Sequence, residues 1–404
     1  MSEAIAAPAA PAPAPNLSPP PGNPRFPLFD ALRAIAAVLV FANHTITSVY
    51  PVAGHGTLYV WAAELGREGV AVFFLISGFL LYRPFLVARQ GRAQLRVPAY
   101  ARRRFLRIVP AYWAALTIFI AAGFVSGVTA HNWWVFYAFG QVYSSTLIGR
   151  GIGVAWTLGV EVTFYALLPV FALVAGRLSR SRSMRADVLL LVILAAASLA
   201  FRAHYSSFVD AEKVSTLAGT FLWFALGMLL AIASVAREGR RPSARAGGWV
   251  ALWPVASWCG GALLFVLSYE VEIGRIGLSA GAASVTIHAL SGVAALCILL
   301  PAVFAQEAGG LVQGVLRLRW LAWIGLVSYG VYLYHTIVID QLNKLYGGGS
   351  TSWRYPVVTV SALIVTLACA GASYYVLERP MMLLGRGSRI RLRPAPGWRG
   401  RVKS

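Results

Sequence analysis

The segment that most constrains this chain runs from Phe29 to Tyr50 (FDALRAIAAVLVFANHTITSVY). It is apolar enough to enter a bilayer, yet it carries Asp30, Arg33 and His44. Arg33 and His44 are eleven residues apart, about three helical turns, so they project from one helix face about 16 Å apart along the axis. Ionisable groups at such depth in a membrane are costly and usually mark a functional site.

The rest of the chain shares this apolar character. Of its 404 residues, 58% are hydrophobic and only 12% are charged, whereas soluble domains are about one quarter charged. The net charge of +21 would indicate nucleic-acid binding in a soluble protein. Membrane proteins, however, collect Arg and Lys in cytoplasmic loops. The composition therefore predicts an integral membrane protein with the lipid bilayer, and no nucleic acid, as a partner.

Ten apolar segments are long enough to span a bilayer. They lie near residues 28–49, 69–88, 108–128, 154–176, 187–205, 214–235, 249–269, 281–304, 320–340 and 355–377. The segment 131–148 is aromatic but partly polar, which suits an interfacial or re-entrant position better than a span. The predicted fold class is an all-α integral membrane protein, a bundle of about ten transmembrane helices.

The basic residues predict the orientation of this bundle. With ten spans and a cytoplasmic N-terminus, 28 of the 35 Lys and Arg residues fall in cytoplasmic segments, as the positive-inside rule requires. An eleventh span at 131–148 would move the clusters at 177–185 and 237–245 to the outside, so that count is rejected. Both termini are predicted to be cytoplasmic.

Composition also divides the chain into parts. The expected parts are a disordered Ala/Pro-rich tail at 1–24, a transmembrane domain at 25–380 and a basic cytoplasmic tail at 381–404. The three cysteines lie in apolar segments without metal-ligand spacing. Neither a disulfide framework nor a metal site is expected.

His44 and Arg33 each have more than one interpretation. His44 is either a buried histidine that bonds a neighbouring helix or a general base acting on a substrate hydroxyl. The presence of Arg33 on the same face favours the second. Arg33 could snorkel to the cytoplasmic surface, pair with Asp30 one turn back, or bind a phosphate or carbonyl of a donor.

Arg104 and Arg107 precede the third apolar segment. They share a helix face if that helix starts early. Two guanidiniums at the membrane surface suit a pyrophosphate or a 3′-phosphate. A simple topological signal is the alternative, and the two roles do not exclude each other.

Glu161 is a carboxylate within the apolar stretch WTLGVEVTFYALLP, residues 156–169. A carboxylate there needs a partner or a cavity. It could orient or charge-stabilise a histidine, as carboxylates do in carboxylate–imidazole pairs. Alternatively, it could pair with Arg150.

Two other segments carry polar groups. Ser77 beside Gly78 is expected to serve close helix packing. In the ninth apolar segment, Tyr329 and His335 are expected to line a polar interior face.

Together these motifs resemble the membrane-bound acyltransferase-3 family, the O-acetyltransferase type that decorates bacterial surface polysaccharides and some antibiotics. The matching motifs are Arg33-x10-His44, Phe73-Phe74-x-x-Ser77-Gly78, Arg104-x-x-Arg107 leading into Pro110–Trp113, Trp156–Pro169, Ser328–His335 and Glu378–Pro380. The likeness extends from Phe26 to Pro380. Gly159, Val162 and Thr163 depart from the family pattern, so the second carboxylate of that motif is absent while Glu161 remains.

The resemblance implies an enzyme of the cytoplasmic membrane. It would be an acyl-CoA-dependent O-acyltransferase that moves an acyl group, acetyl above all, to a hydroxyl of a carbohydrate or glycolipid. Arg104, Arg107 and Arg33 would bind acyl-CoA, His44 would act as base or transient acyl acceptor, and Glu161 would set its tautomer. Polar interior support would come from Asp30, Ser77, Trp156, Tyr165, Tyr329 and His335. Acyl-CoA is then a co-substrate rather than a bound cofactor, and a separate periplasmic partner is a further option.

A secondary transporter is the alternative. An exporter of a lipid-linked sugar or small anion would also place Arg, His and Glu inside ten helices. Such transporters commonly show inverted repeats. This sequence has no internal symmetry of that kind, so the enzyme is favoured.

Overall fold

The fold was obtained as a computed structural model. It describes residues 26–49, 56–179, 183–206, 211–238, 249–306, 309–347 and 353–385. The predicted N-terminal tail at 1–24 and most of the predicted basic tail lie outside the described residues. Within the described ranges every regular element is a helix, which confirms the predicted all-α class.

The described residues form fourteen α-helices, numbered in chain order. They are α1 Phe29–Val49, α2 Gly56–Arg89, α3 Val97–Ala121, α4 Trp133–Tyr137, α5 Trp156–Leu178, α6 Arg185–His204, α7 Ala211–Val214, α8 Leu217–Arg237, α9 Trp249–Glu272, α10 Ala280–Phe304, α11 Leu311–Leu316, α12 Arg319–Leu345, α13 Arg354–Ser373 and α14 Arg379–Gly385. A single π-helical turn, Tyr374–Glu378, joins α13 to α14.

Ten stretches of the described chain are long and apolar enough to cross a membrane. They contain α1, α2, α3, α5, α6, α8, α9, α10, α12, and α13 continued into α14, which matches the ten predicted segments. Helices suit this environment because they satisfy their backbone hydrogen bonds internally. Large apolar side chains such as Leu189, Leu263 and Ile364 are exposed on the outer surface, where a bilayer would cover them.

The third spanning helix differs most from its prediction. The apolar segment was placed at 108–128, whereas α3 begins at Val97 and ends at Ala121. Pro98 in its first turn suits a helix start, because the first backbone N–H groups of a helix have no intrahelical partner. The early start places Arg104 and Arg107 inside a helix rather than in the loop before it.

The aromatic segment at 131–148 does not span. It contains the five-residue α4 and a 3₁₀ turn, Gly140–Tyr143. Trp133 and Trp134 are exposed, which suits the predicted interfacial position. A second 3₁₀ turn, Gly153–Ala155, leads directly into α5.

Helices α1 and α2 lie at the centre of the bundle and pack on each other, with α12 beside α1 and α8 beside α2. Glycines permit the closest approaches. A Cβ at Gly78 would overlap the backbone of Phe224, and a Cβ at Gly325 would overlap the backbone of Asp30. Such small-residue contacts are the ordinary means of close helix packing in membranes. They fix the register of α2 against α8 and of α1 against α12.

Candidate active site

Helix α1 places Arg33 and His44 in two successive cavities. Arg33 lines a cavity of about 770 Å³, and His44 lines one of about 810 Å³, each volume including space open to the outside. We call them the arginine cavity and the histidine cavity. Arg33 and His44, eleven residues and about 16 Å apart along one helix, therefore face two different cavities.

The arginine cavity collects polar side chains from five helices. They are Arg33 of α1, Ser77 of α2, Arg104 and Arg107 of α3, Thr157, Glu161 and Tyr165 of α5, and Ser328, Tyr329 and Tyr332 of α12. Three guanidiniums and one carboxylate thus line the same space. A cavity of this charge attracts anions, and guanidinium forks match phosphate geometry.

The three guanidiniums of this cavity differ in their partners. The Nη1 of Arg33 lies 2.6 Å from Oδ1 of Asp30, the pairing that was one of the alternatives in the sequence. Arg104 and Arg107 make no ion pair with any described residue. The buried Nε of Arg104 has no acceptor within the described ranges. These two arginines are therefore the groups available to an anionic ligand.

Glu161 belongs to the arginine cavity. It accepts a hydrogen bond from the Ser77 hydroxyl, and Arg150 at the protein surface is exposed. Glu161 thus has its hydrogen-bond partner in the arginine cavity, and its predicted role in setting the tautomer of His44 stays a prediction. Glu161 lies there because α5 starts inside the bundle, after a buried 3₁₀ turn, so that its second turn faces α2.

Two of the predicted supporting tyrosines also belong to the arginine cavity. The Tyr329 hydroxyl donates a hydrogen bond to the carbonyl oxygen of Ile108, at 2.8 Å. The carbonyl oxygen of Tyr165 accepts one from the Tyr100 hydroxyl, at 3.3 Å. Both contacts tie α3 to its neighbours, so they hold the helix that carries Arg104 and Arg107.

The histidine cavity is lined by a different set. Its polar and aromatic members are Asn43, His44, Arg67, Trp156, Arg202, Ser215, Thr220, Trp223 and Tyr332. The predicted support residue His335 lies beside it, since its ring centroid is 5.0 Å from that of His44. His335 is buried, and its Nδ1 donates to the carbonyl oxygen of Tyr332, at 2.8 Å.

Arg67 and Arg202 are site residues that sequence reasoning missed. Both lie in outside segments of the predicted ten-span topology, and no role in a site was predicted for either. Arg202 nevertheless lies near the end of an otherwise apolar segment, ILAAASLAFRAHY. An ionisable group in such a segment is itself a signal of function.

Val70 and Tyr332 line both cavities. The Tyr332 hydroxyl lies 2.7 Å from Oγ1 of Thr157 and donates to the carbonyl oxygen of Val154, at 3.2 Å. These contacts fix the tyrosine between α12 and the start of α5. We call Val70 and Tyr332 the shared wall, because both residues line the two cavities.

A multi-helix membrane protein with charged interior cavities is the class that this fold and site define. Residues 27–375 match the sequence model of the acyltransferase-3 family, described as an acyltransferase domain. The chain belongs to this family, which confirms the resemblance seen in its motifs. No solved structure matches the chain.

Several characterised proteins are similar along most of this chain. The exopolysaccharide production protein ExoZ of Rhizobium meliloti is 29% identical over 333 residues, covering 81% of this chain and 92% of that protein. Acyltransferase MdmB of Streptomyces mycarofaciens is 28% identical, covering 93% and 97%. The peptidoglycan O-acetyltransferase OatA of Listeria monocytogenes is 24% identical, covering 88% of this chain but 55% of that longer protein.

Proposed function

We propose that the protein is an acyl-CoA-dependent O-acyltransferase of the cytoplasmic membrane. It takes an acyl group, acetyl in the simplest case, from acyl-CoA at the cytoplasmic side. It transfers this group to a hydroxyl of a carbohydrate or glycolipid toward the other side. The observation that carries the proposal is that α1 presents Arg33 to the arginine cavity and His44 to the histidine cavity, with one wall shared between them.

The direction of transfer follows from the distribution of charge. In a ten-span topology, 28 of the 35 basic residues lie on the side where α1 begins, which is the cytoplasmic side by the positive-inside rule. Arg33 is then near the cytoplasm and His44 lies beyond the midplane. The names of the relatives ExoZ and OatA, which refer to exopolysaccharide and peptidoglycan, support a carbohydrate acceptor.

The arginine cavity is the proposed donor site. Arg104 and Arg107 bind the phosphates of acyl-CoA, because bidentate guanidinium–phosphate pairs combine charge with directional hydrogen bonds. Arg33 contacts the donor deeper along α1. The long, flexible pantetheine arm then carries the thioester toward the shared wall. Glu161, bonded to Ser77, adds a negative charge to that of Asp30 beside Arg33, and so reduces the repulsion among the three cations of the cavity.

His44 is the proposed base. Its imidazole takes the proton from the acceptor hydroxyl as that oxygen attacks the thioester carbonyl carbon. The carbon–sulfur bond breaks, the thiolate recovers a proton, and the products are an ester and free CoA. In a second route, the imidazole nitrogen itself accepts the acyl group and passes it to the hydroxyl. Both routes need His44 and consume one acyl-CoA per ester.

Purified protein and radiolabelled acetyl-CoA test this proposal. His44→Ala is expected to abolish labelled ester formation and thioester hydrolysis while folding is retained. The matched control is His131→Ala, because His131 is exposed and lines neither cavity. Normal turnover by His44→Ala would overturn the proposal. Flux of a lipid-linked sugar without acetyl-CoA turnover would support the exporter instead.

A further inference from the structure

The histidine cavity holds one cation whose charge is not balanced by any described carboxylate. Arg67 and Arg202 line it, and its lining includes no Asp or Glu. Arg67 is paired with Glu64, and its Nη2 lies 3.2 Å from Oε2 of Glu272. Arg202 forms no ion pair within the described ranges. A charge in this position inside a membrane protein calls for a counter-ion.

Arg202 is held in place by backbone carbonyls. Its Nε donates to the oxygen of Ser284, at 3.4 Å, and its Nη1 donates to the oxygens of Val214 and Gly219, each at 3.2 Å. These carbonyls come from α10, α7 and α8. No described residue accepts a hydrogen bond from its Nη2. The guanidinium plane is therefore fixed, with one edge left for a ligand.

A guanidinium fixed in this way is preorganised for an anion. Its fork matches the two oxygens of a carboxylate or a phosphate. Ordering before binding lowers the entropy lost on association. In a partly buried cavity, opposite charges also attract several-fold more strongly than in bulk water.

We infer that Arg202 is the anion-binding residue of the acceptor site, and that the acceptor is a negatively charged carbohydrate. The charge is a carboxylate of the sugar or a phosphate that links the sugar to a lipid carrier. Binding of this group at Arg202 presents a sugar hydroxyl to His44 in the same cavity. The inference rests on the proposed function for the part that His44 plays, but the anion site itself is independent of it.

Equilibrium binding to the purified full-length chain tests the inference without any acyl donor. The probes are cellobiose, its carboxylate analogue cellobiouronic acid, and glucose linked to a polyprenyl diphosphate. We expect at least one charged probe to bind roughly tenfold or more tighter than cellobiose, as one charge-assisted hydrogen-bond pair provides. The charged probe with the larger increase in affinity over cellobiose shows whether the bound charge is a sugar carboxylate or a lipid-linked phosphate. The gain should shrink as salt rises.

Variants locate the site. Arg202→Met is expected to remove the preference for the charged probe, and Arg202→Lys to retain part of it. Arg275→Met is the matched control, since Arg275 is exposed, pairs with Glu270 and does not line the cavity. Thermal unfolding of each variant reports its folding. If Arg202→Met does not fold, the inference is tested by the preference for the charged probe in the wild type and by its partial retention in Arg202→Lys.

Three results would overturn the inference. They are equal binding of all three probes by the wild type, an unchanged preference in Arg202→Met, and loss of the preference in Arg104→Met, which alters the other cavity. Acetyl-CoA turnover is a separate readout. An intact charge preference without any acetyl transfer would overturn the proposed function and leave the anion site standing.

Discussion

The imidazole rings of His44 and His335 lie next to each other, with 5.0 Å between their centroids. Because the Nδ1 of His335 donates to a backbone carbonyl oxygen, its Nε2 is an acceptor. That Nε2 is buried and has no partner within the described ranges. We propose that this unpaired nitrogen beside His44 orients the His44 ring, the part that the sequence suggested for Glu161.

His335→Ala should therefore slow the chemical step. We expect kcat to fall by a factor on the order of 10², the lower end of what a general base contributes, because the base His44 itself remains, with little change in KM for acetyl-CoA. Steady-state kinetics over a range of pH checks this, because a residue that only fills space would leave the pH profile unmoved. His335→Gln, which retains an acceptor, should restore part of the rate. An unaltered kcat in His335→Ala would contradict this role.

Arg104→Ala and Arg107→Ala should weaken donor binding. Loss of a charge-assisted hydrogen bond corresponds to a roughly tenfold or larger rise in KM for acetyl-CoA, with kcat nearly unchanged. Arg102→Ala is the matched control, since Arg102 is exposed and donates to the carbonyl oxygen of Leu384 instead of lining the cavity. Repeating the titration with acetyl-dephospho-CoA assigns the 3′-phosphate, because the arginine that binds it should then show no further loss. If all three variants had the same KM for acetyl-CoA, the donor site would not lie in the arginine cavity.

Glu161→Gln separates the two roles considered for this carboxylate. If Glu161 acts in the donor cavity, as its bond to Ser77 indicates, the variant should change KM for acetyl-CoA. The pH profile of kcat should stay that of the wild type. Ser77→Ala should give a smaller change in the same direction, worth about 1 kcal/mol for one hydrogen bond. A displaced pH profile in Glu161→Gln would instead connect Glu161 to His44.

The shared wall should limit the length of the acyl chain. Val70→Ala removes side-chain volume at a residue that lines both cavities. Propionyl- and butyryl-CoA should therefore become better substrates relative to acetyl-CoA. A pocket discriminates one methylene by a factor of about 10 to 200. We therefore expect kcat/KM for the longer acyl-CoA, divided by kcat/KM for acetyl-CoA, to rise roughly tenfold. Val72→Ala is the control, because Val72 is buried away from both cavities. An unchanged acyl preference in Val70→Ala would place the passage elsewhere.

The parts of the site that lie on one helix were predictable from the sequence. The spacing of Arg33 and His44 follows from helical periodicity, and so does the shared face of Arg104 and Arg107. The likeness of the motifs to a known family pointed to Glu161 and Tyr329, which also line the arginine cavity. Apolar length was sufficient to give the ten spanning helices.

Relations between helices were not predictable in this way. Ser77 and Glu161 are 84 residues apart in the chain, and only the depth at which α5 starts decides that they meet. Arg202 is anchored by carbonyl oxygens of three other elements, which no side-chain pattern encodes. Periodicity fixes the face of a helix but not its register against a neighbour.

Transfer across the membrane makes the proposed reaction sided, and this sidedness can be measured in vesicles. Proteoliposomes would receive labelled acetyl-CoA and a carbohydrate acceptor either on the same side or on opposite sides of the bilayer. We expect labelled ester only when donor and acceptor are on opposite sides, and none in His44→Ala vesicles. Efficient transfer with both substrates on one side, and none across the bilayer, would contradict transfer across the membrane.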